Sequence, residues 1–139
     1  MPKPFILCPC IAKYFFPDFI SQEAEKQGFQ LPVPKEDLRP WLQSLKLSAL
    51  QNTGQSNAVQ KNKNWGIFDF CNQFLQTEDQ LYTATLDLCH RLGSKNVIYA
   101  EIRFCPDLHI VKGLTPEQAL LAVIKGMTFT VFFYSLDFT

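Results

Sequence analysis

The chain has 139 residues, 47% of them hydrophobic, with 13 Lys plus Arg against 13 Asp plus Glu and a formal net charge of zero. That length suits one domain of ordinary size, and the apolar content excludes a disordered tail. Zero charge without a basic cluster argues against nucleic acid as a partner, and no apolar stretch approaches the ~20 residues that a membrane span needs.

Phe5 to Ile11 is a short apolar run that predicts a fully buried strand. The first residues loosely suggest a signal peptide, but Pro9 interrupts the run and Lys13 follows with no small-x-small cleavage site. Pro17 stands where a first helical residue is favoured and Gly28 where a helix ends. Between them Phe19, Ile20 and Ala24 form an apolar stripe. Leu31-Pro32-Val33-Pro34 is an extended connector. Leu38, Trp41, Leu42 and Leu45 predict a second helix with Pro40 in its first turn, and residues 51–64 a solvated loop.

Ile67, Phe70, Cys71 and Phe74 recur at the spacing of one helix face. Thr77 and Gln80 predict a capping box for a helix that turns Leu81, Ala84, Leu88 and Leu92 inward and stops at Gly93. Asn96 to Phe104 reads as a strand: Ile98, Ala100, Ile102 and Phe104 face one way, and Val97, Tyr99, Glu101 and Arg103 the other. Both faces are largely apolar, which predicts burial on both sides, as in a parallel sheet. Thr115 and Gln118 predict a second capping box, with Pro116 at the first helical position and a helix through Leu120, Leu121 and Ile124 to Gly126. Residues 128–139 read by composition as an apolar strand with nothing after it to cover it, which predicts self-association through this tail. Strand, helices, strand, helix is the order of an α/β protein.

Five cysteines in no regular framework make a disulfide scaffold a poor reading and point to a reducing compartment, the cytoplasm. Glu101 and Arg103 are two charges on one face of a strand expected to be buried, so each needs a partner, either in a site or in a structural network. Cys105-x3-His109 alone is a weak zinc signal, and no Cys-x2-Cys pair exists.

Several of these stretches resemble the adenosine deaminase family. They are Phe70-x-x-x-Phe74-Leu75-Gln76-Thr77-Glu78, the run Val97 to Pro106 with its Tyr-x-Glu-Ile-Arg-Phe-x-Pro core, Leu108-His109, and Gly113-Leu114-Thr115-Pro116-Glu117 with Gly126. Pro17 to Pro32, with its Gln27-Gly28-x-x-Leu31-Pro32 ending, matches as well. The resemblance covers residues 7–127 and implies a (β/α)8 TIM-type barrel, which takes roughly 250 residues. The expectation is therefore α/β: a single partial domain over 1–139 that holds the first two or three strands of an incomplete barrel and their helices, with a divergent tail at 128–139.

The resemblance implies zinc-dependent hydrolytic deamination of adenosine, or a related purine nucleoside, in which a zinc-bound hydroxide attacks C6 of the purine and ammonia leaves. The family holds its zinc partly through a His-x-His on the first strand. Cys8 and Cys10 fall in that register here, with Ala12 and Lys13 where an acidic or amide residue and a Gly would follow. Thiolates bind zinc, but two of them would quench its Lewis acidity, and the competing reading is two small buried residues. Ile67, Phe70, Cys71, Phe74 and Leu108 match positions that line the family's purine pocket; plain helix core explains the first four equally well. His109 lies nearby and reads more readily as a surface residue. The expectation is a chain that does not hold zinc stably and does not deaminate alone, against the alternative of a non-catalytic chain that binds or interferes with a full-length partner, or has no function.

Overall fold

The computed structural model describes residues 17–51, 68–97 and 99–136, with side chains at 17–45, 68–97 and 99–130. The first predicted strand, Phe5 to Ile11, and most of the 51–64 loop lie outside the described residues. The chain divides into two compact units, one ending at Phe74 and one running from Leu75.

In the first unit, α1 spans Pro17–Gln27 and buries Phe19, Ile20 and Ala24, the predicted stripe. Pro17 costs nothing there, because the first helical N–H has no partner within the helix. The end of α1 is built by Gly28, which takes φ +63°. Its N–H donates to Glu25 O at 3.2 Å and that of Phe29 to Ala24 O at 2.8 Å, a Schellman pair that satisfies two carbonyls of the last turn. One 3-10 turn, Lys35–Asp37, then leads into α2, Leu38–Gln51, whose inner side carries the buried Leu38 and Leu42. Gln51 is thus the last residue of α2 and not the start of a loop. Residues 68–72 form a further helical turn that buries Cys71.

The second unit opens with α3, Glu78–Ser94. The Thr77 hydroxyl accepts from the Gln80 N–H at 3.2 Å, as the capping box requires, and Gln80 Oε1 reaches back to the Gln76 N–H at 2.9 Å. Leu81, Ala84, Leu88 and Leu92 are all buried. Gly93 does not stop this helix. Asn96 does, at φ +56°, with its N–H on Gly93 O and the Val97 N–H on Leu92 O. A short polar side chain tolerates that left-handed conformation, so Asn96 serves where a glycine was expected.

Residues 99–105 keep the predicted alternation but not the predicted burial. Ala100, Ile102 and Phe104 are half-buried, while Tyr99, Glu101 and Arg103 are exposed. Burial on both faces needs layers on both sides. Among the described residues this segment has only an isolated bridge at Arg103, with no sheet ladder. A partial barrel is accordingly not what the described residues display; they are mostly helical.

The last helix, α4, spans Pro116–Leu136. Residues 128–136 of the tail expected as a strand are its C-terminal part, and the last three residues lie outside the described ones. Two local facts decide this. The Thr128 and Thr130 hydroxyls donate to the carbonyls of Ile124 at 2.8 Å and Gly126 at 3.0 Å, so these β-branched residues are accommodated inside a helix. And Gly126 is a contact residue, not a terminator: a Cβ placed on it would stand 2.9 Å from both Thr85 Cβ and the Tyr82 carbonyl oxygen. Its lack of a side chain lets α4 approach α3 closely. Four residues farther along, Thr130 lies beside Cys89, itself four residues beyond Thr85. Contacts advance in step, so α3 and α4 run parallel.

Candidate functional site

Phe70 and Phe74 sit in an aromatic cluster of the first unit. Phe74 is fully buried; its ring meets Phe70 at 5.5 Å and Phe29 at 5.3 Å between centroids, and Trp41 meets Phe70 at 5.0 Å. All three contacts are edge-to-face, the arrangement that aligns ring edges with π faces. Cys71 is buried beside them. Phe70 remains half-buried and Phe29 38% exposed, so one side of the cluster reaches the surface. Trp41 and Phe29 were not among the expected pocket residues. The Schellman turn at Gly28 delivers Phe29, and nothing in its spacing announces that. Ile67, Cys8 and Cys10 lie outside the described residues.

Leu108 belongs to the second unit, in a 3-10 turn Pro106–His109, and is 46% exposed. The turn is held from beneath by Gln76. Its Nε2–H donates to Leu108 O at 2.8 Å, and its Oε1 accepts the Val111 N–H at 3.0 Å. His109 is the departure from expectation: only 2% of it is exposed. Its Nδ1 lies 2.9 Å from Leu75 O and its ring 5.7 Å from that of Phe104. A carbonyl can only accept, so Nδ1 carries the proton. Burial holds the imidazole pKa below its usual value, partly opposed by the hydrogen bond to Leu75. A surface histidine is the commoner case, but here the apolar Phe104 and a free backbone carbonyl supply both surfaces that a buried imidazole needs. Gln76 and His109 act across 32 to 35 residues of sequence, and no local spacing signals such a pairing.

Glu101 and Arg103 are paired with each other at 3.5 Å, and Glu101 Oε1 also accepts the Tyr99 hydroxyl at 2.9 Å. The arrangement is solvent-facing, with the Arg103 side chain 69% exposed, so it carries little energy and organises no buried site. That hydrogen bond and the Glu101 charge push the Tyr99 phenol pKa up. Burial pushes the Cys89 thiol pKa up, partly opposed by Thr130. Among the described residues no three His, Cys, Asp or Glu side chains come together as a metal would require.

Proteins named adenosine deaminase are similar to this chain. One from Streptococcus agalactiae (strain NEM316) is 43% identical over 60 residues, which is 43% of this chain and 18% of that protein. One from Haemophilus ducreyi is 31% identical over 111 residues, 80% of this chain and 30% of that protein. One from Clostridium kluyveri is 28% identical over 113 residues, 81% of this chain and 30% of that protein. The chain therefore spans less than a third of the length of these relatives, consistent with an N-terminal portion. No family model and no solved structure matches it.

Proposed function

We propose that residues 7–127 are an adenosine deaminase-type segment of a (β/α)8 barrel, contributing part of a purine-pocket wall, and that the 139-residue chain does not itself deaminate adenosine. The similarity to deaminases over 111 residues supports the type of protein. Parallel helices α3 and α4, joined through an extended stretch, suit consecutive βα units of such a barrel. By the resemblance, Ile67, Phe70, Cys71 and Phe74 are the candidate purine-contacting positions of the first unit, and Leu108 is the candidate of the second. The substrate class is a purine nucleoside, the setting is purine metabolism, and the compartment is the reducing cytoplasm.

The observation that carries the second half of the proposal is the donor set. A catalytic zinc needs three protein ligands and an open position for water. The chain has two histidines. His109 is buried with Nδ1 committed to Leu75 O, and His90 lies exposed on α3. Cys8 and Cys10 stand in the register of the family's His-x-His, and two sulfurs do not complete a catalytic site. The residues present therefore do not fit the zinc. The expected outcome is less than stoichiometric zinc after dialysis, read by atomic emission. One zinc per chain, lost in a Cys8→Ala and Cys10→Ala double variant, would establish a thiolate site and overturn this reading.

A second reading is favoured by α4. Leu120, Leu121, Ile124 and Phe129 are exposed on it. An apolar row of that kind suits a non-catalytic chain that associates with itself or with a longer partner.

A further inference from the structure

Side chains fasten the 106–111 loop to the start of α3. Gln76 grips it at two backbone points, Leu108 O and the Val111 N–H, and is itself oriented by Gln80 through its own N–H. His109 makes the third attachment, from its Nδ1–H to Leu75 O. The other ring nitrogen, Nε2, has no hydrogen-bond partner among the described residues, and the imidazole is almost completely removed from water. That arrangement suits a neutral ring only. A second proton on Nε2 would place a cation in a buried site with nothing to receive it.

We propose that His109 is an acid release for this loop: protonation of its imidazole opens the clasp that holds residues 106–111 on the start of α3. Among the described residues, no charged group on the elements around the ring is buried against it. On the turn and its flanks Asp107, Arg103 and Lys112 are exposed; on α3 so are Glu78 and Asp79; on α4 so are Glu117 and Lys125. The buried residues of α4 in its first three turns are Ala119, Ala122, Val123 and Gly126, and none titrates. Cys105, just before the turn, is an exposed thiol.

The sign follows from linkage. The folded pKa is lowered from 6.5, so the released form binds more protons in the window below 6.5. The clasp is complete above that value and weakens as the pH falls, by about tenfold in the opening equilibrium per pH unit, until the closed form also protonates. This inference stands on the clasp geometry and holds whether or not the chain deaminates.

The test is hydrogen exchange of the full chain, read by mass spectrometry on peptides covering 105–113 and corrected for the intrinsic pH dependence of exchange. From pH 7.5 to pH 5 the wild type should lose protection, and His90→Gln should lose it equally. His109→Asn keeps an N–H donor without a titrating ring and should stay flat. Gln76→Ala should lower protection by the same factor at both pH values. A flat wild type, or a His109→Asn variant that falls as steeply as wild type, would overturn the proposal. If His109→Asn does not fold, the carbon resonances of the His109 ring in the wild type decide: loss of protection must begin near pH 6.5 and level off where the ring titrates, and a loss that runs on unchanged past the ring's midpoint, or a ring that titrates at 6.5 or above, refutes the clasp.

Discussion

Helices α3 and α4 are opened by the same device, yet they turn different side chains toward the interior of their unit. Thr115 and Gln118 close a full capping box, with hydrogen bonds of 2.9 and 3.2 Å, and Thr77 caps α3 in the same manner. From there they diverge. α3 buries Leu81, Leu88 and Leu92; α4 buries Ala119, Ala122, Val123, Gly126 and Thr130, and exposes Leu120, Leu121, Ile124 and Phe129. A cap is written in four consecutive residues, whereas the buried face is chosen by what lies across from it. Large side chains on α3 leave room on α4 only for small ones, and Gly126 marks the closest approach. The larger residues of α4 are left over for a surface outside this contact.

The most direct way to break that comparison is on its packed side. Leu81 is fully buried, so Leu81→Ala should destabilise the unit by about 3 kcal/mol in urea unfolding, from lost transfer energy and the cavity left behind. Gly126→Val should cost about 2 kcal/mol, because its side chain would enter the space held by Thr85 and the Tyr82 carbonyl. A cost near zero at both positions would mean that α3 and α4 do not meet as described.

The shared device sharpens the comparison. Thr77→Ala and Thr115→Ala each remove one acceptor for an orphan N–H and should each cost about 1 kcal/mol. Because the caps are local, the two losses should agree within error, unlike the core substitutions. If Thr77→Ala costs much more, the excess measures the link from Gln80 through Gln76 to the 106–111 loop.

These same features mark what the sequence carried and what it did not. Gly28, Thr77 and Thr115 declare their roles through bonds to residues three positions away and Pro17 through its missing N–H, and α1 and α3 with their stripes of Phe19, Ile20 and Ala24 or Leu81 to Leu92 were legible for that reason. The tail was misread because Thr, Val and Phe favour strands only when they line a half-buried sheet, and here Thr128 and Thr130 bond back into a helix. Alternation in residues 99–105 was legible, but its burial depends on neighbours that sequence pattern does not supply. At the candidate site, the helical spacing of Phe70, Cys71 and Phe74 was readable; the partners Phe29 and Trp41, and the grip of Gln76 on Leu108, arise from residues far apart in the chain.

The smallest effect on stability is expected on the exposed side of α4. Leu121→Gln with Ile124→Gln should change unfolding by under about 0.5 kcal/mol, since neither side chain is buried. The same pair should shift sedimentation from associated species toward monomer. Association unchanged by the double variant would remove α4 as the contact surface and with it the second functional reading.

The central claim is that resemblance to a deaminase here comes without the deaminase reaction. Purified chain is incubated with adenosine and added zinc, and the ultraviolet change that accompanies formation of inosine is followed. The account predicts no turnover above buffer, because a zinc-bound hydroxide needs ligands that this chain's two histidines, one buried in a clasp and one exposed on α3, do not supply. Inosine formation that follows the protein through purification and stops with a zinc chelator would contradict it.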